Sequence, residues 1–204
     1  MKGILIAVEG INGCGKSSII EQLQKYFHHI GQTVRVYKFP DRNGYQGERI
    51  NRFLCNQESF AYQYDMFDVF SANRLATKHN IQADINKGYI VICDRYVASA
   101  IAYHIPFNAS DLTIRAYYQI LGYFDKHMIV PAKTYLIDGN FLHLRGETKQ
   151  RYHYDSHKAK QLLNNFKKIV PKCTKEYSLI HNQYGKLDEI VSFMVNDINQ
   201  TMRS

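Results

Sequence analysis

No run of apolar residues in this sequence approaches the roughly 20 that a membrane-spanning helix needs, so a soluble chain without a membrane partner is expected. The first apolar stretch breaks at Glu9, before any small-residue cleavage site, which argues against a secretory signal. Cysteine is scarce: Cys14, Cys55, Cys93 and Cys173 stand far apart, with no CxxC pair. That spacing excludes a zinc framework and predicts reduced thiols in a cytoplasmic setting. No Pro/Gly/Ser-rich linker, internal repeat or low-complexity tract interrupts the 204 residues. One domain carrying a short lid, approximately residues 143–156, is therefore expected, with enough chain to bury a sizeable core. Long Lys/Arg blocks and RNP-like runs are missing too, so the net charge of +8 does not make nucleic acid a partner. It equally suits a protein that handles two polyphosphate ligands.

What is present is an alternation of short apolar runs with longer periodic stretches. Ile4–Val8 reads as a buried strand, and Ser17–Ile30 as a helix with Ile19, Ile20, Leu23 and Phe27 on one face. Gly31 stands where a C-cap glycine belongs. Thr33–Phe39 is a second strand, stopped by Pro40; Tyr89–Cys93 is the most strand-like run of all. Thr134–Ile137 and Tyr177–Ile180 complete the strand candidates. Helices are predicted near Arg49–Cys55, over Tyr62–Lys87 up to Gly88, and over Ala98–Tyr123. Two more pass through Leu162, Leu163 and Phe166, and through Leu187, Ile190, Val191, Met194 and Ile198. This order predicts an α/β fold: a five-stranded parallel sheet flanked by helices on both faces. Ligands in such folds gather at the carboxyl ends of the strands.

At the end of the first strand candidate stands Gly10-Ile11-Asn12-Gly13-Cys14-Gly15-Lys16-Ser17, which meets G-x-x-x-x-G-K-[ST] at every fixed position, with a strand before it and a helix after it. Its glycines allow the backbone to wrap closely around phosphates, so that successive N–H groups face the anion. The helix that follows, opening through Ser17 and Ser18, offers its positive N-terminus. Lys16 adds a point charge near the β- and γ-phosphates, and the Ser17 hydroxyl is a Mg²⁺ ligand. Asp94, directly after Ile90–Cys93, stands where a carboxylate that holds that metal or its water shell belongs. The fold is thus that of a P-loop NTPase binding ATP with Mg²⁺.

The phosphoryl acceptor must be read elsewhere. A guanine-reading N-K-x-D is missing, which argues against a GTPase. Five short elements follow one another instead: Val8-Glu9-Gly10-Ile11-Asn12-Gly13, Phe39-Pro40-Asp41-Arg42, Phe70-Ser71-Ala72-Asn73-Arg74, Asp94-Arg95-Tyr96 with Ser99 and Tyr103, and Arg145-Gly146 with Arg151-Tyr152. Each is weak alone. In this order, beside a P-loop, they resemble the thymidylate kinases, over residues 1 to about 155. The resemblance implies transfer of the γ-phosphate of ATP to dTMP. It implies that Phe70 stacks on thymine, that Arg74 hydrogen-bonds a base carbonyl, and that Arg42 and Arg95 grip the dTMP phosphate with bidentate donors. Phe39 and Pro40 would wall the pocket near the methyl, with Pro40 a candidate cis peptide. Tyr103 would sit under the sugar, Tyr152 would approach its 3′ side from the lid, and Ser99 and Asn12 would complete the substrate contacts.

The same resemblance divides the family by where a catalytic, positively charged residue comes from, the P-loop or the lid. The variable P-loop positions here, Asn12, Gly13 and Cys14, carry no basic group, whereas the lid-like stretch holds Arg145, Lys149 and Arg151. The lid-supplied type is expected, with Lys16, Arg95, Arg145 and Arg151 as the catalytic set. Two departures stand out. Asn12 replaces the family aspartate and brings no charge, and Ala100 stands where relatives often have an amide near the base. A related kinase for another nucleoside monophosphate or a deoxynucleoside, and a P-loop binding module without catalysis, stay open as readings. Thymidylate kinases are commonly homodimers, and the Tyr-rich segments Tyr62–Phe70 and Tyr117–Phe124 would serve for that.

Overall fold

The computed structural model describes residues 3–139 and 156–203. At its centre lies β1 (Ile4–Gly10), buried along its whole length. The pleat sends Ile4, Ile6 and Val8 to one face and Leu5 and Ala7 to the other. Both faces are covered, and the strand is accordingly a continuous apolar run rather than an alternating one. β3 (Ile90–Asp94) follows the same rule, with Ile90 and Ile92 opposed to Val91 and Cys93. With β2 (Val34–Lys38), β4 (Lys133–Asp138) and β5 (Glu176–His181) these strands form one sheet in the order β2-β3-β1-β4-β5, every neighbouring pair parallel. The expected five-stranded parallel sheet is the observed one.

The larger core packs α1 (Lys16–His29), α7 (Ser156–Ile169) and α8 (Leu187–Arg203) on one face, through Ile19, Leu23 and Phe27, Leu162 and Phe166, and Met194 and Ile198. The smaller core on the other face holds Ile81 of α4 (Lys78–Asn86) with Phe39, Tyr96 and Met128. Among the described residues no helix is long and apolar enough to cross a membrane, and all four cysteines are free.

Two expected helices are divided. The stretch over Tyr62–Lys87 becomes α3 (Gln63–Leu75) and α4. Thr77 breaks it: its hydroxyl donates to the Arg74 carbonyl at 2.8 Å, and its N–H reaches the same carbonyl at 3.1 Å, replacing the regular i→i−4 bond with a tighter turn. The stretch over Ala98–Tyr123 becomes α5 (Val97–Ala102) and α6 (Asp111–Asp125). Pro106 lies in the connection, and Ser110 restarts the helix as an N-cap that accepts from the Thr113 N–H at 3.1 Å. The helix expected near Arg49–Cys55 starts earlier, as α2 (Gly44–Leu54). The sheet register sets Val8 opposite Asp94, so the loops leaving β1 and β3 emerge side by side. The candidate site is built on those two loops.

Candidate active site

The turn after β1 runs through backbone conformations that side chains avoid: φ is 140° at Gly10, 77° at Gly13 and 93° at Gly15. Gly10 is constrained twice, since a Cβ there would stand 2.5 Å from the Ile137 carbonyl oxygen. α1 then opens with no side-chain cap and no acidic residue in its first turn, leaving its N–H groups to an anion. Ser17 and Ser18 are exposed there. Lys16 is 6% exposed, and its Nζ lies against the loop itself, donating to the carbonyls of Ile11 at 2.7 Å and Gly10 at 3.1 Å and to Cys14 Sγ at 3.4 Å. Burial, and then the neighbouring Arg95 guanidinium, lower its pKa below the ordinary lysine value. Asn182, which sequence reasoning did not single out, pins the loop from the far side by donating to the Cys14 carbonyl at 2.9 Å.

Asp94, 6% exposed, ends β3 with Lys38 Nζ 4.0 Å from its carboxylate. Its oxygens and the Ser17 hydroxyl are hard donors of the kind Mg²⁺ takes when phosphates and water fill its remaining positions, so the residues present fit that ion.

Arg95 joins the phosphate loop to the cleft beside it. It holds φ 66°, a left-handed conformation unusual for a side-chain-bearing residue. Its N–H bonds the Val8 carbonyl at 3.0 Å. Its guanidinium donates to the Gly10 carbonyl at 2.7 Å and to Asn12 Oδ1 at 2.5 Å, and lies over the Tyr103 ring at 5.3 Å. Behind it Glu9, fully buried, accepts from the N–H groups of Tyr96 at 2.9 Å and Ser99 at 3.1 Å and from the Ser99 hydroxyl. Burial pushes the Glu9 carboxyl up, against the Ser99 hydrogen bond that draws it down. Glu9 stood in the sequence as part of a motif without a role; it fixes the start of α5 and with it the segment that carries Arg95.

The cleft itself gathers Asn12, Phe39, Pro40, Arg42, Phe70, Arg74, Arg95, Ser99 and Tyr103, nine of the ten residues expected to touch an acceptor. The tenth, Tyr152, lies outside the described residues, as do Arg145, Lys149 and Arg151. The Phe39–Pro40 peptide is cis, as the sequence suggested. Phe39 packs on Tyr96 at 5.8 Å, and Asn73 secures the next residue by exchanging two 2.9 Å bonds with the Asp41 backbone. Arg42, its pKa lowered by burial, donates to Asn51 at 3.2 Å. Phe70 is 7% exposed and meets Phe53 edge-on; it is core on one side and cleft wall on the other.

The anionic partner that a buried arginine demands proves to be internal. Arg74 Nε and Nη2 donate to the two carboxylate oxygens of Asp125 at 3.0 and 2.6 Å, and Ser71 donates to the same carboxylate at 3.1 Å. Asp125 closes α6, 51 residues along the chain, and nothing local in the sequence announced it. Leu54, Tyr96, Ala100 and His104 also line the cleft without having been expected there as contacts.

Chemically, the arrangement is an anion cradle of backbone N–H groups, one lysine and two hard oxygen donors. It adjoins an aromatic cleft lined by three arginines, Arg42, Arg74 and Arg95. That is the equipment for moving a charged group between two phosphorylated ligands.

Comparison with known proteins agrees with this geometry. A thymidylate kinase of Brachyspira hyodysenteriae is 36% identical over 104 residues, half of each chain. One of African swine fever virus is 29% identical over 187 residues, 85% of this chain and 70% of that one. The chain spans about half the length of curated relatives such as those of Brachyspira hyodysenteriae and Schizosaccharomyces pombe. A solved thymidylate kinase from Candida albicans superposes with a TM-score of 0.79 at 25% identity, covering 98% of this chain and 94% of that one. The thymidylate kinase family model matches residues 8–191. Because that match runs from β1 into α8, and so takes in cradle and cleft together, the chain belongs to the thymidylate kinase family.

Proposed function

We propose that this protein transfers the γ-phosphoryl group of ATP to dTMP, releasing ADP and dTDP. The observation that carries the reading is the position of Arg95, which touches the phosphate loop at Gly10 and Asn12 while lining the aromatic cleft with Arg42 and Phe70. A donor in the cradle and an acceptor in the cleft then meet at one guanidinium.

In this reading thymine lies on Phe70, the sugar on Tyr103 and the acceptor phosphate between Arg42 and Arg95, with Phe39 and Pro40 bounding the methyl. Arg74, with Nε and Nη2 held by Asp125, turns Nη1 to a base carbonyl. The acceptor is already an anionic phosphate, so positioning and charge stabilisation carry the rate and no strong base is required. Lys16 stabilises the charge developing on the transferred group. Ser17 and Asp94 would hold Mg²⁺, which supplies further neutralisation of the phosphates when bound. Arg145 and Arg151 are assigned the remaining positive charge, since the loop positions Asn12, Gly13 and Cys14 supply none.

The reading extends to a cytoplasmic homodimer. Unpaired cysteines suit that compartment. Tyr62 and Tyr64 at the start of α3 and Tyr123 at the end of α6 are 71%, 59% and 65% exposed, a surface that a second copy would cover. Light scattering at micromolar concentration separates dimer from monomer.

The test of function is a coupled ADP-release assay with Mg-ATP and dTMP, dUMP, UMP, CMP, dGMP or thymidine. Preferential turnover of dTMP, lost in Arg95→Ala, supports the whole assignment. Preference for another acceptor would retain the cradle and sink the roles of Phe70, Arg74 and Tyr103.

A further inference from the structure

His104 follows the C-cap of α5, and its ring lines the same cleft as Phe70 and Arg74. It packs edge-on against Phe67 with centroids 4.7 Å apart and against Phe70 at 6.0 Å. Nδ1 bonds the Ala100 carbonyl one turn back. A carbonyl only accepts, so Nδ1 carries the proton, and in the neutral ring Nε2 is a bare lone pair. Nε2 is buried and has no hydrogen-bond partner among the described residues. Burial, helped by the Arg74 guanidinium and opposed by the Ala100 bond, holds the pKa down to about 4, so the ring stays neutral near pH 7.

A buried acceptor left without a donor is destabilising, and such a group in a ligand cleft calls for a partner from outside. Ala100, on the same helix, brings no polar side chain of its own. The wall therefore offers Arg74, which only donates, and His104 Nε2, which only accepts. The imide edge of thymine or uracil carries the complement on adjacent atoms: C4=O accepts and N3–H donates. Cytosine reverses both, with an acceptor at N3 and an amino group at C4.

We propose that His104 is a specificity-determining residue whose Nε2 accepts the N3–H of a thymine or uracil base seated beside Arg74, selecting imide pyrimidines over cytosine. The proposal rests on the reading of this cleft as the dTMP site.

Two measurements test it. In protein labelled with ¹⁵N-histidine, the Nε2 resonance of His104 should move toward its hydrogen-bonded position on addition of dTMP and stay still with dCMP; this uses the unaltered protein. In steady-state kinetics His104→Phe keeps the ring packing but removes the acceptor. It should raise KM for dTMP roughly tenfold, more than any change in kcat, and narrow the preference for dTMP over dCMP by a similar factor. His104→Gln, which regains an acceptor oxygen, should recover part of the loss. A protein that turns over dTMP while its Nε2 resonance stays still would overturn this inference and leave the proposed function standing. Absence of any dTMP turnover by the unaltered protein would overturn both.

Discussion

The phosphate cradle and the aromatic cleft meet at Arg95 but are built by different means. The cradle is one continuous segment whose contacts to an anion come from main-chain N–H groups, and its shape depends on glycines at φ values other residues avoid. The cleft is assembled from side chains on the β1, β2 and β3 loops and on α2, α3 and α5, and its wall depends on carboxylates that never enter it: Glu9 behind Ser99 and Asp125 behind Arg74. A cradle of the first kind fails by losing a charge or a glycine. A cleft of the second kind fails when its supports go, even with every contact residue intact.

The largest effect should come from the cradle. Lys16→Ala removes the ammonium folded onto the loop, and kcat should fall by about 10³-fold with little change in the thermal midpoint, measured by ADP release and calorimetry. If kcat falls less than tenfold, the charge that matters is supplied elsewhere, and the assignment of Lys16 is wrong. The cleft should answer differently. Asp125→Ala strands a guanidinium that is 4% exposed, and losing one partner of a buried pair costs about 3–5 kcal/mol, near 10 °C in the midpoint at this size. KM for dTMP should rise in the surviving folded protein while affinity for Mg-ADP holds. Equal loss of both affinities would erase the distinction between the two regions.

That distinction also explains what could be read in advance. The cradle's residues are contiguous, so their spacing alone identified Gly10 to Ser18, and the apolar runs of β1 and β3 disclosed the sheet because strands covered on both faces have no polar alternation. The residues expected in the cleft came from the order of short motifs, and nine of the ten line it together. Their supports were not found. Asp125 meets Arg74 across 51 positions, Asn182 meets Cys14 across 168, and no periodicity links such pairs. The Thr77 break escaped for a different reason: the apolar period runs straight through it, and only a hydroxyl taking a carbonyl shows that the helix ends.

A smaller effect isolates the neutral ring of the cleft. The pKa of His104 is about 4 in the folded protein against an ordinary 6.5, so between those values the unfolded chain binds more protons. Stability contributed by this site is therefore present above pH 6.5 and is lost as pH falls toward 4, by an amount on the order of 3 kcal/mol. Glu9, its carboxyl raised by burial, acts in the opposite sense, losing stability as pH rises through its folded pKa. Comparing the protein with His104→Phe by urea unfolding at pH 7, 5.5 and 4 cancels Glu9 from the difference. The unaltered protein should lose stability relative to the variant as pH falls, and a difference independent of pH would mean that the ring is not held neutral.

The smallest effect probes the seam between the two regions. Asn12 Oδ1 accepts from Arg95 at 2.5 Å, and Asn12→Asp alters almost no volume while adding a negative charge at that contact. A carboxylate would hold the guanidinium more firmly than the amide does. It would also set a negative charge beside the place where the reading puts the acceptor phosphate. The second consequence should prevail for binding, because Arg95 is already fixed from the Gly10 carbonyl and gains little from a further anchor. KM for dTMP is expected to rise about two- to fivefold in dilute buffer and to recover at 1 M salt, where screening shortens to about 3 Å. A rise that persists in high salt would mean that the aspartate acts through altered loop geometry, and the seam would then be a matter of shape, as the cradle is, and not of charge.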